Sequence, residues 1–477
     1  MTKKTLLVIS LLLVMIFAFA GCAGETFNFT ALTVESMSGE LTSNGGVSVA
    51  YKGYTYFING NVSSYSIDNT FGEVEYGAIV RVKTANLTNG TFADREIDTS
   101  DYPEVEVLAP KAVYTAATGS ANSNGIFIFN DRIYYATPST TRDKEGALQN
   151  SYLDIMSVAL DGTGTQRMYT VPGNSFNMML AQNGNNVYAV YVNGENLVSV
   201  NITDAKPTET TLSEHVSDVK FIPSKGVAVF AESIPEEGHE DHDHEPTRNS
   251  FSIYTVGETE ASILIDGAGE DVSKDVVFTM ATVTENYVYF SVASDNAGRD
   301  GLYRVGVTSR DVDFDAQYSS LKVSSENLLS SGLVAQNGAE ENIVFYNATE
   351  HYVQHFNVLT KEVKNMFYCS SAPAFVKVAN GKVFYTLSAK LKYFVLEDCL
   401  ASTHNGTYAR EDQNVAVTSC VNAVTWLEYD FYQDYMLYLS TTTGSEVYLV
   451  YTDYNDEESE DKVEYFVGKY VNVTTTK

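Results

Sequence analysis

Short runs of apolar residues recur along the chain, and most of them carry aromatic side chains. Each run has the length of a β-strand, is rich in Val, Ile, Tyr and Phe, and is bounded by Gly, Asn or Asp. The runs come in pairs, in which an aromatic first strand leads through a variable loop to a second strand, as in 286–290 followed by 301–305. This pattern predicts an all-β protein built from repeated hairpins.

Eight such pairs follow one another, and one reference position in each first strand is aromatic in all of them except the fourth, which has Val229. The pairs are 53–58 with 78–82, 131–135 with 153–158, 186–190 with 197–200, 226–230 with 251–254, 286–290 with 301–305, 342–346 with 353–358, 381–385 with 393–396, and 434–438 with 447–450. Their reference positions lie 39 to 78 residues apart, and most gaps are close to the roughly 40–50 residues of a four-stranded propeller blade.

A hairpin alone cannot bury both of its faces, whereas sheets stacked around an axis can. The sequence therefore predicts a single β-propeller of about eight blades over residues 45–477, or seven blades if the weak fourth pair is misread. Two Tyr-rich β-sandwiches remain an alternative. A right-handed β-helix fits less well, because its rungs are shorter than the observed gaps.

The first residues follow a different pattern. Lys3 and Lys4 precede an uncharged apolar run, 6–20, which is too short for a comfortable membrane span and is typical of a secretory signal. The run ends in Phe-Ala-Gly-Cys at 19–22, which resembles the lipobox of bacterial lipoproteins, with Phe19 where Leu is usual. The resemblance implies that the signal peptide 1–21 is removed and that Cys22 carries lipid.

The same resemblance places the mature protein outside the cytoplasm, anchored to a bacterial membrane through the lipid, with 22–44 as a linker. An uncleaved anchor helix with an incidental Cys is the alternative. The strand motifs Ile-Tyr-Tyr at 133–135, Leu-Tyr-Arg-Val at 302–305 and Asp-Gly at 161–162 resemble uncharacterised bacterial lipoproteins with propeller domains, distant relatives of TolB-type propellers. That resemblance covers most of residues 45–470 and implies an architecture rather than an activity.

The net charge of the chain limits the kinds of molecule that it can bind. The chain has 61 acidic and 30 basic residues, a formal net charge of −31. A surface this acidic repels nucleic acid and anionic lipid headgroups. We therefore expect no nucleic-acid partner, and contact with the membrane only through the lipid anchor.

The most conspicuous polar segment is 238–245, in which His239, His242 and His244 are interleaved with carboxylates. Imidazole and carboxylate together suit zinc, nickel or copper. A segment this polar is equally typical of a solvated acidic loop that binds a divalent metal weakly, so no tightly held cofactor is expected. The spacing Asp311, Asp313, Asp315 opens like a calcium loop, but Ala316 and Lys322 stand where that loop needs Gly and Glu.

Three cysteines remain after Cys22. An exported compartment permits disulfides, but an odd number leaves one thiol over. Cys399 ends one predicted strand and Cys420 begins another, which makes them the expected pair and leaves Cys369 unpaired.

The sequence offers no recognisable catalytic motif: it lacks a nucleophile elbow, a phosphate-binding Gly loop and a dinucleotide fingerprint. We predict no catalytic residues, and a binding or scaffold role in which an envelope protein or a glycan docks on a propeller face. Two alternatives stay open. One is a polysaccharide- or peptide-active lyase or hydrolase with its site in the propeller channel, and the other is a metal-handling protein that uses the His-rich segment 239–244.

Overall fold

A computed structural model of the protein describes residues 26–29, 48–58, 78–83, 104–109, 125–139, 142, 144–146, 152–172, 177–232, 250–267, 276–294, 298–337, 340–379, 382–387, 390–397, 413–415, 426–432, 435–441, 447–453, 463–465, 469–471 and 473–476. Most of these residues lie in β-strands. They form eight sheets in chain order, together with a separate two-stranded pair.

The first half of the described chain holds an N-terminal strand and sheets 1 to 4. The N-terminal strand is Thr26–Phe29 (β1). Sheet 1 begins with Ser48–Tyr51 (β2), Tyr54–Ile58 (β3), Ile79–Lys83 (β4) and Glu104–Ala109 (β5). Sheet 2 holds Phe127–Phe129 (β6), Arg132–Pro138 (β7), Leu153–Ala159 (β8) and Gln166–Val171 (β9). Sheet 3 holds Met178–Asn183 (β10), Asn186–Asn193 (β11), Asn196–Asn201 (β12) and Glu209–Ser213 (β13). Sheet 4 holds Val216–Ile222 (β14), Val227–Glu232 (β15), Ser250–Thr255 (β16) and Ser262–Asp266 (β17), with a 3₁₀ turn at Pro223–Lys225.

The second half holds sheets 5 to 8 and the C-terminal strands. Sheet 5 holds Val276–Val283 (β18), Tyr287–Ser294 (β19), Gly301–Gly306 (β20) and, after Val312–Asp313 (β21) and the helix Phe314–Leu321 (α1), Lys322–Ser324 (β22). A 3₁₀ turn at Leu328–Ser330 leads to sheet 6, with Gly332–Asn337 (β23), Glu340–Asn347 (β24), Tyr352–Asn357 (β25) and Val363–Tyr368 (β26). Sheet 7 holds Ala374–Ala379 (β27), Lys382–Leu387 (β28), Lys390–Val395 (β29) and Gln413–Val415 (β30). Sheet 8 holds Trp426–Tyr432 (β31), Tyr435–Thr441 (β32), Val447–Asp453 (β33) and Val463–Tyr465 (β34), and the chain ends with Lys469–Val471 (β35) and Val473–Thr476 (β36).

Each of the eight sheets contains an antiparallel meander of four strands, which are consecutive in the chain except in sheet 5, where β21 and α1 precede the fourth strand. The eight strand pairs predicted from the sequence are the second and third strands of these sheets, as in β19 with β20 and β15 with β16. The weak fourth pair is therefore a full member of the repeat, and the seven-blade alternative is wrong.

Neighbouring sheets are held together by apolar cores. Side chains alternate between the two faces of a strand, so a central strand can pack on the sheets to either side. Tyr191 of β11 packs with residues of sheet 2, and Val190 next to it packs with residues of sheet 4. Six such cores join sheets 1 to 7 in sequence. Each fully buried Val, Ile or Phe side chain stabilises the fold by about 1.5–3 kcal/mol.

This arrangement of radially packed, four-stranded meanders is a β-propeller of eight blades, which confirms the fold predicted from the sequence. First strands of neighbouring sheets contact each other, as β14 does with β18 and β23 with β27. The first strand of a blade is therefore the one nearest the axis, and the fourth strand lies at the rim.

Two blades carry a fifth strand on the rim, and both additions are parallel. β35 pairs with β5 of sheet 1, and β21 pairs with β17 of sheet 4. β1 pairs with β36, so residues 26–29 of the predicted linker form a strand beside the C-terminus. Through β35, the end of the chain returns to the first blade and covers a sheet edge that would otherwise be open.

The segment 311–315, which opens like a calcium loop, leads into α1. The Oδ1 atom of Asp313 accepts a hydrogen bond from the backbone N–H of Ala316 over 3.1 Å, as an N-cap does. Asp315 pairs with Arg299 over 2.6 Å. The carboxylates of Asp313 and Asp315 thus both have partners within the protein.

Candidate functional site

The propeller has two unlike ends. At one end, which we call the turn face, the first strand of each blade is joined to the second. At the other end, the loop face, the second strand is joined to the third. Near the axis the turn face carries tight hairpins, such as residues 52–53 between β2 and β3. The loop face carries much longer second-to-third connections in three blades, namely 59–78, 139–152 and 233–249. Farther from the axis, the turn face also has two long third-to-fourth connections, 84–103 and 396–412.

Polar contacts join the hairpins of successive blades on the turn face. They are Lys52 to Asp131 at 2.6 Å, Gln182 to Asn130 at 2.7 Å, and Ser224 to Glu285 at 2.9 Å. The hydrogen bond from Lys52 holds the pKa of the Asp131 carboxyl below its usual range. These hairpins are therefore fastened to one another, and the polar groups that join them serve the fold.

Glu341 is a buried carboxylate between blades 5 and 6. Its oxygens accept hydrogen bonds from the hydroxyl of Thr284, over 2.8 Å, and from the hydroxyl of Tyr289. The Nη1 atom of Arg304 lies 3.4 Å from Oε2 of Glu341. Burial and the neighbouring carboxylate raise the pKa of Tyr289. The Arg304 guanidinium also stacks over the ring of Tyr287, 4.1 Å from its centroid. The cluster is fully partnered, which is typical of a structural charge network.

Arg81 plays a similar part between blades 1 and 2. Its side chain is completely buried and its Nε donates to Glu106 over 2.6 Å. Its Nη1 donates to the carbonyl oxygen of Leu160 over 3.0 Å, and its guanidinium lies 4.0 Å from the ring centroid of Tyr54. Burial raises the pKa of the adjacent Tyr56 to about 12.

Tyrosine side chains recur at these blade interfaces, where the ring packs and the hydroxyl finds a partner. Tyr191 donates to Glu209 over 2.6 Å, and Tyr169 of the neighbouring blade donates to the same carboxylate. Tyr254 shares a 2.9 Å hydrogen bond with Ser199 of the preceding blade. The 33 tyrosines of the chain are thus explained in part by inter-blade packing.

The blade 6 rim at the loop face presents aromatic groups to solvent. The rings of Tyr352 and Tyr368 meet edge to face, with centroids 5.7 Å apart and an interplanar angle of 81°. Tyr368 is 54% exposed. The ring of His351 lies 6.3 Å from that of Tyr368, and its Nδ1 is 3.0 Å from the hydroxyl of Tyr346.

A polar network adjoins these rings and begins at the turn between β24 and β25. The side-chain oxygen of Asn347 accepts hydrogen bonds from the backbone N–H groups of Thr349 and Glu350, over 3.0 and 3.1 Å. The Asn347 side-chain amide donates to the buried Gln354 over 3.2 Å. Gln354 in turn donates to Glu350 over 3.0 Å and to Asn365 over 2.7 Å. We call Tyr352, Tyr368, His351, Glu350 and Asn365 the blade 6 rim site.

The site residues predicted from the sequence lie outside the described residues. These are the lipidated Cys22, the metal-binding His239, His242 and His244, and the disulfide pair Cys399 and Cys420. The backbone does place the ends of the His-rich segment, because Glu232 of β15 pairs with Ser250 of β16. Residues 233–249 therefore leave and re-enter blade 4 at the loop face. Cys369 is buried, and its thiol donates to the carbonyl oxygen of Ser371 over 3.0 Å.

Among the described side chains of the inner strands, few could take part in catalysis. Of the acidic residues on these inner strands, Asp218 is exposed and no second carboxylate accompanies it. A glycoside hydrolase needs two. The described residues also bring together no cluster of three His, Cys, Asp or Glu side chains that could hold a metal ion.

Sequence reasoning missed the blade 6 rim site and the Glu341 cluster. Tyr352 and Tyr368 are 16 positions apart in the chain and meet only through the pairing of β25 with β26. A bulge between Val353 and Gln354 shifts that register, so strand alternation alone could not have found the pair. Glu341 follows another glutamate at the start of a strand, where a solvated side chain is the ordinary expectation.

From Thr26 onward, the described part of the chain contains no helix that is both long and apolar enough to cross a membrane.

No protein-family model matches the chain, and no curated protein matches its sequence. Among solved structures, the dihydro-heme d1 dehydrogenase NirN aligns at 12% identity and a TM-score of 0.42, covering 72% of this chain and 65% of that one. A puromycin hydrolase aligns at 10% identity and a TM-score of 0.41, covering 76% and 55%. The present chain thus spans less than two thirds of either protein. AztD from Citrobacter koseri aligns at 9% identity and a TM-score of 0.37, covering 89% and 98%. The identification of the propeller rests on its own strand order and inter-blade cores.

Proposed function

We propose that the protein is an extracytoplasmic lipoprotein that binds an envelope macromolecule at the loop face of its propeller. One observation carries the proposal: the first-to-second hairpins of the turn face are fastened to one another, whereas the loop face carries the second-to-third connections 59–78, 139–152 and 233–249 and the exposed rim of blade 6. Long loops on a rigid scaffold are where proteins place recognition.

Charge supports the choice of partner. With a net charge of −31, the protein attracts cationic partners over distances of about a Debye length and repels anionic ones. The partner is therefore neutral or cationic, and its association rate with this protein falls as salt is raised if it is cationic.

The anchor is tested by the variant Cys22→Ala. Because the thiol takes up the lipid, the variant should leave the membrane fraction or accumulate as an unprocessed precursor. Fractionation and the mass of the mature N-terminus measure this. A variant that is processed and retained on the membrane like the wild type would show that Cys22 is not the lipidated residue.

The binding face is tested by site-specific photo-crosslinking on intact cells with the full-length protein. A crosslinking residue at Glu195 or Thr349 stands on the loop face, and one at Asn286 or Leu359 stands on the turn face; all four are exposed. We expect one discrete crosslinked product from the loop-face positions and none from the turn-face positions. Equal products from both faces would refute a loop-face site.

The same assay separates binding from metal handling. A variant with His239, His242 and His244 all replaced by Asn should still form the loop-face product. Loss of that product, restored in the wild type by added zinc and abolished by a chelator, would instead favour the metal-handling alternative.

A further inference from the structure

The rim of blade 6 exposes an aromatic surface that packing does not require. Among the described residues, four large apolar side chains are strongly exposed, and Tyr368 is the one aromatic among them. Burying a side chain of this size would stabilise the fold by about 1.5–3 kcal/mol. Tyr368 nevertheless stays exposed and packs against Tyr352, the edge of one ring against the face of the other. We call this pair of rings the aromatic corner. Tyr191, Tyr254 and Tyr289 at the blade interfaces are by contrast buried.

The polar groups beside this corner are held in place from beneath. Gln354 is 5% exposed and directs both of its amide hydrogens, to Glu350 and to Asn365. Asn347 fixes the turn above it and hydrogen-bonds to Gln354. Glu350 is exposed and Asn365 is half-buried. Two planar polar side chains are thus positioned by a buried residue and remain accessible to solvent, at the edge of an aromatic surface.

A pyranose ring has the complementary chemistry. One of its faces carries polarised C–H groups, which are attracted to the negative face of an aromatic ring. Its rim carries hydroxyls, which can donate to the Glu350 carboxylate and to the Asn365 side-chain oxygen, or accept from the Asn365 amide. The overall negative charge of the protein and the presence of Glu350 exclude phosphorylated, sulfated or uronic sugars. What remains is a neutral or amino-substituted oligosaccharide.

We propose that the blade 6 rim site binds a neutral or amino-substituted oligosaccharide, stacked on Tyr368 and Tyr352 and hydrogen-bonded by Glu350 and Asn365. The inference rests on the proposed binding function and names a ligand class for one part of the loop face. Tyr368 supplies the stacking surface, Gln354 positions the polar pair, and His351 and Tyr346 support the ring of Tyr368 from the turn.

The test uses the full-length protein on an array of neutral, amino-substituted and acidic oligosaccharides, followed by calorimetry with the best binder. We expect binding to neutral or amino sugars and none to acidic ones. Tyr368→Ala should weaken binding at least tenfold, and Tyr368→Phe should recover most of that loss because the ring face persists. Leu359→Ala, at an exposed apolar side chain on the turn face of the same blade, should bind like the wild type.

A second variant, Glu350→Gln, tests the site while leaving the rings of Tyr352 and Tyr368 unchanged. Glu350→Gln retains the hydrogen-bonding shape and removes the charge, so it should lower the affinity for amino sugars more than for neutral ones. Wild-type protein that binds no sugar, or Tyr368→Ala protein that is folded by circular dichroism and binds like the wild type, would overturn the inference. Loop-face crosslinks that persist in those cases would leave the broader binding function standing.

Discussion

Replacing Glu341 with Ala should lower the free energy of unfolding by about 3–5 kcal/mol, the usual cost of breaking a buried ion pair. The carboxylate is 5% exposed and joins blades 5 and 6. Without it, the Arg304 guanidinium and the Tyr289 hydroxyl lose their shared acceptor. Because Tyr289 is fully buried, its hydroxyl cannot regain water there, so the loss exceeds that of an ordinary hydrogen bond.

The measurement is the midpoint of urea unfolding at pH 7, with the slope of the transition checked for equality between variants. Glu362→Ala is the matched control, because Glu362 is an exposed glutamate on the next hairpin of the same blade, and it should shift stability by no more than about 0.5 kcal/mol. The free energy of unfolding of Glu341→Gln should lie between those of Glu341→Ala and Glu362→Ala. If Glu341→Ala unfolds at the same midpoint as Glu362→Ala, the cluster does not hold the blades together.

The Glu341 cluster also illustrates how this propeller uses its tyrosines. A wedge between two blades is widest at the rim, and a long, rigid side chain with a polar tip can fill it while reaching a partner on the neighbouring sheet. Tyr289, Tyr169 and Tyr254 all do so. The aromatic residues that made the repeat visible in the sequence are therefore the ones that join its blades.

The repeat itself was predictable because each blade repeats the same burial requirement. Central strands are covered on both faces, so their apolar runs survive even where the aromatic is lost, as at Val229. The additions to the repeat were not predictable. β21 has two residues and β35 three, too few for a pattern, and α1 has a sequence without a marked apolar stripe. Its start, capped by Asp313, lies inside a segment whose spacing suggested a different loop.

The candidate site was harder to anticipate than the fold. Clusters of ionisable residues attract attention in a sequence, as 239–244 does, whereas the blade 6 rim site uses ordinary residues that meet only through strand pairing. A single exposed Tyr and a buried Gln carry no motif. What distinguishes them is exposure and position, and both are properties of the folded chain.

His355 gives the second large effect, and it depends on pH. This histidine is 4% exposed, its Nε2 lies 2.8 Å from the side-chain oxygen of Asn342, and Lys364 stands opposite it on β26. Burial, with a further contribution from Lys364, lowers the pKa of His355 to about 4 from an ordinary value of 6.5. The folded protein therefore holds this imidazole neutral at pH values where the unfolded chain would protonate it.

Because the unfolded state binds the extra proton, the stability contributed by the neutral imidazole is complete above pH 6.5 and declines as the pH falls toward 4. The difference in pKa corresponds to about 3 kcal/mol at pH 4, at about 1.4 kcal/mol per unit. His355→Gln removes the titrating group and keeps a polar side chain near Asn342. The variant should therefore lose about 3 kcal/mol less stability than the wild type between pH 7 and pH 4.

Urea unfolding of the purified protein at half-unit steps from pH 7 to pH 4 measures this difference. Acidic residues throughout the chain contribute to both curves alike, so the comparison isolates one imidazole. His215→Gln is the control, because His215 is exposed and its removal should leave the wild-type pH profile in place. Parallel curves for the wild type and His355→Gln would mean that His355 titrates in the folded protein as it does in the unfolded chain, and that its buried position admits water or a proton.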